Sequence, residues 1–301
     1  MTVVDLAELG NAVRWVRSDP ADAAREALAA AGIGPAYGPL SELAVWWAGV
    51  RGDAAALPPQ RVAAVGVTSP LPDPLRLGVR RLPLDPPAEP EEALAWGVDT
   101  ADALADEGVD LLLLAVDDLR GRRVLGAELI GADAVSALGW PGADDGSTDA
   151  ALTGIVDDER WMRDVVQLRD GLRAVRGLSG EPMALLRGLG SPTLAAAAGL
   201  LLRSAGRRTP AVLDGPGAAA AALLAREQAW ECSDWWQVAP VREEALTDRV
   251  VARMQLTPLS GWAVPVEDGT AALLAADVLC AAAALLALPS TTTPVPGEPA
   301  G

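Results

Sequence analysis

The sequence predicts a doubly wound α/β fold: a mostly parallel sheet, flanking helices, and a small helical subdomain from the N-terminal segment and the C-terminal helix. Three observations carry this expectation. Two short apolar runs, Arg61–Val67 (RVAAVGV) and Val109–Val116 (VDLLLLAV), read as strands buried on both faces. Helical periodicity lies between and after them, and strand, helix, strand at this spacing is the pattern of a βαβ unit. Half of the 301 residues are apolar, enough to bury one large core or one core with a small subdomain.

The elements follow in order. Residues 2–31 hold two short helical patterns, divided where Ser18-Asp19-Pro20 supplies a cap and a first-turn proline. Leu40–Val50 reads as a further helix, with Leu43, Val45, Trp46 and Trp47 on or near its apolar face. From Ser69 to Glu92 prolines crowd the chain, which predicts an irregular connection. Pro90-Glu91-Glu92 opens a helix to about Ala105, ended by Glu107-Gly108. After the second strand come a helix at about Gly126–Leu138, an acidic loop at Gly142–Ser147 and a charged amphipathic helix at Asp157–Arg176. Leu194–Ser204 is helical, Ala211–Leu213 a short strand, and Gly217–Glu227 an alanine-rich helix. Trp235–Val238 reads as a strand, Arg242–Met254 as a helix, Gly261–Val266 as a strand and Thr270–Leu288 as a long helix. The expected organisation is a helical segment 1–52, an α/β domain 53–288 and a disordered tail 289–301.

Composition narrows the chemistry. The net charge is −17, and every basic residue is an arginine. So acidic a chain repels nucleic acid and anionic membranes, and neither is expected as a partner. Histidine and lysine are absent, which excludes imidazole acid–base catalysis, histidine–metal sites, Schiff bases and a phosphate-loop lysine. Cys232 and Cys280 form no metal-ligand pattern and read as two buried thiols in a reducing compartment. No metal and no cofactor is expected. The chain shows no signal-peptide pattern or membrane span, so a cytoplasmic location is expected. Catalysis would rest on Asp, Glu, Arg, Ser, Thr or backbone groups.

In doubly wound sheets ligands bind beyond the carboxyl ends of the strands. The candidate site is therefore Thr68-Ser69, Asp117-Asp118, Asp214-Gly215, Ala239-Pro240 and Glu267-Asp268-Gly269. Each group also has a plainer role. Asp268 suits the N-terminus of the helix beginning near Thr270, Asp214-Gly215 suits a tight turn, and Asp157-Asp158 suits a helix start rather than Mg²⁺. Adjacent Trp235 and Trp236 face opposite ways on a strand, so at least one is core. Arg120, Arg122 and Arg123 could bind a phosphate by charge, but a solvated loop cluster is the expected reading.

Arg207-Arg208-Thr209-Pro210, Leu213-Asp214-Gly215, Trp235-Trp236-Gln237 and Asp268-Gly269-Thr270 occur in an order and spacing that resemble the nicotinate-nucleotide:dimethylbenzimidazole phosphoribosyltransferase family. Thr153-Gly154-Ile155 with Asp157-Asp158 and Trp161 resembles that family's T-G-x-D-D segment, with one residue extra. Glu107–Leu114 resembles the strand leading into its phosphate loop, and Leu40–Gly52 its early helix. The resemblance covers most of residues 35–288.

It implies transfer of phosphoribose from nicotinate mononucleotide to a benzimidazole, which makes the lower-ligand nucleotide of cobalamin. It also implies a nucleotide or aromatic-base ligand, and a homodimer or pairing with an intact paralogue. By the same resemblance Asp268 stands at the family's catalytic glutamate with Glu267 beside it, while Gly269, Thr270, Asp214, Gly215, Thr153 and Gly154 fall on ligand- or phosphate-binding positions. Departures are many. The family's G-[ED]-M-G-I-G-N-T-T cradle corresponds to Ala115–Arg123, where Asp117 and Asp118 replace the glycine-rich run. A family lysine falls on Asp164, a histidine on Pro240 and a glutamate on Glu244, and the segment after the first strand is shortened. Two expectations follow: a degenerate homologue with impaired catalysis, or an active divergent transferase using Asp268 or Glu267 as its base.

Overall fold

The computed structural model describes residues 4–71, 78–139, 158–240, 245–259, 264 and 266–288. The expected loop at Gly142–Ser147, most of the expected strand at Gly261–Val266, Asp157, Glu244 and the tail 289–301 lie outside the described residues.

Among the described residues five parallel strands form one sheet in the order β2-β1-β3-β4-β5. They are β1 (Val62–Val65), β2 (Arg80–Leu82), β3 (Leu111–Ala115), β4 (Ala211–Asp214) and β5 (Trp236–Val238). Every residue of β1, β3 and β4 is buried, as their unbroken apolar runs require. Register is fixed by pairs such as Val62 with Leu111 and Leu114 with Leu213. The direction of chain progression reverses between β1 and β3, which makes their carboxyl ends the topological switch point.

The helices are α1 (Leu6–Ala12), α2 (Ser18–Ala30), α3 (Gly34–Tyr37), α4 (Pro39–Arg51), α5 (Pro90–Asp106), α6 (Leu119–Ile130) and α7 (Ala134–Leu138). They continue with α8 (Asp158–Val175), α9 (Pro182–Leu189), α10 (Pro192–Gly206), α11 (Gly215–Arg226), α12 (Ala245–Arg253) and α13 (Thr270–Leu285).

Four expectations are corrected. The proline-rich stretch contains β2, an edge strand with one neighbour and exposed side chains; such a strand leaves no apolar pattern in the sequence. The helix expected at Gly126–Leu138 is two helices. α6 begins at Leu119 and closes on Gly131 in the left-handed conformation (φ 68°), and α7 restarts on Asp133, whose carboxylate accepts from Val135 N at 2.9 Å and Ser136 N at 3.0 Å. Ser18 does not cap α2; Arg17 occupies that position, and no side chain caps it. Trp235 closes a 3-10 turn ahead of β5 instead of opening the strand, and both Trp235 and Trp236 are buried.

The chain divides into two compact units. One comprises the chain up to Trp15 with Arg61–Ala275 and holds the sheet. Its helices approach closely through small residues: a Cβ at Gly97 of α5 would lie 2.0 Å from Ala196 O, and one at Gly199 of α10 would lie 2.5 Å from Leu94 O. Glycine is required at both places by backbone proximity. All twelve residues of α11 are buried, which explains its run of alanines. The other unit is helical and comprises Val16–Gln60 with the chain from Ala276. There α2 packs on α4, Trp47 is fully buried and donates from Nε1 to Leu57 O at 2.8 Å, and Arg51 lies over the Trp47 ring. Among the described residues no helix is long and apolar enough to cross a membrane.

Candidate functional site

At the switch point the chain turns tightly. Gly66 (φ 71°) follows β1, and a Cβ there would lie 2.1 Å from Ala115 O at the end of β3. This turn sends Thr68 and Ser69 against the segment before α13, where both backbone N–H groups donate to Asp268 O, at 2.9 and 2.8 Å. Ser69 Oγ and Thr270 Oγ1 share a hydrogen bond of 2.7 Å. Gly269 sits over Val67 with φ 90°, and a Cβ would lie 2.5 Å from Val67 Cγ1; two independent constraints exclude a side chain.

The Asp268 carboxylate accepts from Thr270 N at 2.9 Å, so it turns toward the start of its own helix. Asp214, buried at the end of β4, reaches the same helix and accepts from Ala272 N at 2.7 Å. Two carboxylates therefore occupy the N-terminus of α13, where the helix dipole favours negative charge. Burial pushes the Asp214 carboxyl up to about 7; the hydrogen bond from Ala272 opposes this, and the charges of Asp268 and Glu267 reinforce it. Gly215 follows with φ 77°, and Glu267 Cγ stands 3.9 Å from where its Cβ would be.

Beyond β3, Asp118 caps α6, its Oδ1 accepting from Gly121 N at 2.7 Å. Its Oδ2 accepts from Ser191 Oγ and stands 3.5 Å from Thr193 Oγ1, ahead of α10. One turn into α6, Arg122 is only 5% exposed and pairs in bidentate fashion with Glu267, Nη2 to Oε1 at 3.0 Å. Its Nε is buried without a hydrogen-bond partner among the described residues. Arg123 pairs with Asp164 at 3.2 Å. The reading of these arginines as a solvated loop cluster is thus corrected for two of them. They lie on a helix, and Arg122 falls on the face that also buries Leu125 and Gly126.

The fold gathers Ser69, Asp118, Asp214, Gly215, Glu267, Asp268, Gly269 and Thr270 at one edge of the sheet. Asp117 is exposed there, and Thr153 and Gly154 lie outside the described residues. Ala239 and Pro240 are buried, with Ala239 N donating to Leu213 O at 2.9 Å. Ser191 and Thr193 were not foreseen; the sequence signal is Ser191-Pro192, a cap followed by a first-turn proline. No group of three or more Cys, Asp or Glu residues able to hold a metal occurs among the described residues.

A family model described as phosphoribosyltransferase matches residues 86–293. The nicotinate-nucleotide–dimethylbenzimidazole phosphoribosyltransferase of Streptomyces avermitilis is 39% identical over 202 residues, covering 66% of this chain and 51% of the relative. This chain belongs to that family. The same enzyme of Streptomyces coelicolor is 36% identical over 224 residues, covering 72% of this chain and 60% of the relative. The chain thus spans about half the length of the curated relatives it matches. The crystal structure of CobT from Thermus thermophilus superposes with a TM-score of 0.71 at 22% identity, covering 92% of this chain and all of that one, which establishes the shared fold.

In the turn from β3 into α6 the backbone N–H of Gly121 is taken by Asp118. Asp164 of α8 is an anion countered by Arg123 of α6 at 3.2 Å. Trp161 of the acidic segment donates from Nε1 to Gly139 O at 2.9 Å.

Proposed function

We propose that this chain is a phosphoribosyltransferase homologue tied to cobalamin nucleotide-loop synthesis whose transferase chemistry is impaired. One observation carries the proposal: the N-termini of α6 and α13, at the carboxyl edge of the sheet, are filled by the chain's own carboxylates. Transfer from nicotinate mononucleotide needs donors for a 5′-phosphate and a carboxylate free to take a proton from the attacking base. Asp118 holds the start of α6, and Asp214 and Asp268 hold the start of α13. Glu267 is engaged by the buried guanidinium of Arg122, the cation best placed at this edge to meet a phosphate. An incoming phosphate meets four carboxylates, and the general base is turned into its own helix.

A second reading, an active divergent transferase, draws on Asp214. A carboxyl pushed up to about 7 beside two other carboxylates is the arrangement in which one acid keeps its proton while a neighbour acts as base.

The deciding experiment incubates the chain with nicotinate mononucleotide and dimethylbenzimidazole and follows nicotinate and ribazole phosphate by chromatography. The Streptomyces avermitilis relative serves as positive control. The expected rate is lower than the control by on the order of 10³-fold or more, since a positioned general base alone is worth about 10²–10⁴-fold. Product that disappears in Asp268→Ala would overturn the impaired reading in favour of the second.

A further inference from the structure

At the carboxyl edge Asp214 is 4% exposed, and its Oδ2 accepts from Ala272 N at 2.7 Å, which draws the start of α13 against the end of β4. The chain that leads into this helix is less deeply placed. Val266 is 51% exposed, and Glu267, Asp268 and Thr270 are half-buried. Polar bonds do most of the holding, with Gly269 against Val67 as an apolar contact. Thr68 N and Ser69 N donate to Asp268 O, Ser69 Oγ bonds Thr270 Oγ1, and Arg122 takes Glu267. A segment fixed by surface hydrogen bonds and few apolar contacts opens at lower cost than the strands it rests on.

The charges that face Asp214 come from one side. Beside it in the sheet, Ala115 of β3 and Val238 of β5 bring none, and α11 leaves it through Gly215 and Pro216. At the exit of β3, Asp117 is exposed and Asp118 is tied to Gly121 N and Ser191 Oγ. The segment before α13 brings Asp268 and Glu267, and both charges act on Asp214. The guanidinium of Arg122 is already engaged in bidentate fashion by Glu267. An ionised Asp214 is therefore a third carboxylate at one helix start, with no ion-pair partner of its own among the described residues.

We propose that the proton on Asp214 works as a latch: while it is held, the start of α13 stays closed on β4, and its release frees the segment from Glu267 to Ala272. Burial pushes this carboxyl up to about 7, opposed by the bond from Ala272 N and reinforced by Asp268 and Glu267. Once the segment opens, the carboxyl meets water and returns to its ordinary value of 3.8. The closed form thus holds the proton more tightly. Closure is strongest below that ordinary value and weakens as pH rises to about 7. One proton leaves on opening across this window, which shifts the opening equilibrium by up to about tenfold per pH unit. The latch belongs to the edge itself and holds whether or not the chain transfers phosphoribose.

The test is residue-resolved amide hydrogen exchange of the full chain by NMR from about pH 5 to 8, with intrinsic rates removed and the Asp214 carboxyl carbon followed in parallel. No substrate is present, so the outcome is separate from that of the transferase assay. Protection at Thr270 N and Ala272 N should fall by about 100-fold or more from pH 5 to 7 and level off where the Asp214 carboxyl titrates. Leu112 N, bonded to Pro210 O within the sheet, should stay better protected by about tenfold or more at every pH. Asp214→Asn keeps an acceptor for Ala272 N and should hold protection constant within about threefold. Asp268→Asn removes one facing charge, keeps an acceptor for Thr270 N, and should move the levelling to lower pH. The latch is overturned by protection that does not change with pH, by the same fall in Asp214→Asn, or by Leu112 N exchanging as fast as Ala272 N, since the proton would then act on the whole fold. Should Asp214→Asn fail to fold, the wild-type chain and Asp268→Asn decide. A fall that levels away from the Asp214 titration, or that Asp268→Asn leaves in place, overturns it equally.

Discussion

The seam between α5 and α10 and the carboxyl edge of the sheet are built on opposite principles, although both are buried and both belong to the same unit. At the centre of the seam Leu94, Gly97, Ala196, Gly199 and Leu200 meet, and backbones approach until no Cβ fits at either glycine, while farther along Arg203 of α10 pairs with Asp102 of α5 at 2.8 Å. At the edge Asp118, Asp214, Glu267 and Asp268 gather around helix starts and one buried arginine. The seam is held by close packing of small groups. The edge is held by charge-assisted bonds, each carboxylate being tied to a backbone N–H or a guanidinium. A carboxylate at this edge can therefore be there to finish a helix, so its presence is by itself poor evidence of catalysis.

The contrast can be broken at several points. The largest effect belongs to the apolar interior: Leu113→Ala, in the fully buried β3, should lower stability by about 2–5 kcal/mol in urea unfolding. A value under ~1 kcal/mol would mean the sheet is not close-packed there.

Next comes Asp214. Its folded-state pKa is raised to about 7 from 3.8, so the native state holds the proton more tightly than the unfolded chain. That stability is fully present below the unfolded value and is lost as pH rises through about 7. Relative to Asp214→Asn, the wild-type protein should lose on the order of 3 kcal/mol between pH 4 and 7, read from unfolding curves at each pH. A constant difference would show that Asp214 is ionised in the native state throughout.

Glu267→Ala should cost about 2–3 kcal/mol, because it strands the buried Arg122 charge; Glu267 is itself partly exposed, which keeps the cost at the lower end. The double variant Arg122→Leu with Glu267→Leu should recover most of that loss. If the single and double variants are equally unstable, the pair is not the unit that matters.

The smallest effect is the cap. Asp268→Ala should cost about 1 kcal/mol and Asp268→Asn only a few tenths, since asparagine can accept the same bond from Thr270 N. Equal losses in the two variants would mean that charge, and not the hydrogen bond, is what the helix start requires.

Much of this architecture was legible in the residues. The runs VAAV, LLLLA and AVLD announced buried parallel strands, and the ordered motifs of the last third identified the family from Arg207 to Thr270. What escaped was structure without periodicity. β2 has exposed side chains and one neighbour, so nothing in its composition marks it. α6 begins ahead of its apolar face, on an aspartate whose capping role depends on where Ser191 and Gly121 fall in space. The pairing of Arg122 with Glu267 joins residues far apart in the chain, and no local pattern encodes such a contact.

The sequence by itself determined the fold class, the buried strands β1, β3 and β4, and the lack of histidine and lysine. These follow from composition and short-range pattern, which act residue by residue. Only the tertiary structure decided which way each carboxylate turns. Asp268 could face a ligand or its own helix, and Asp214 could line a pocket or close a turn, with the same letters in the same order. The choice depends on which backbone N–H groups stand within hydrogen-bonding distance once β1, β3, β4 and α13 have been brought together, and that is a property of the packed chain alone.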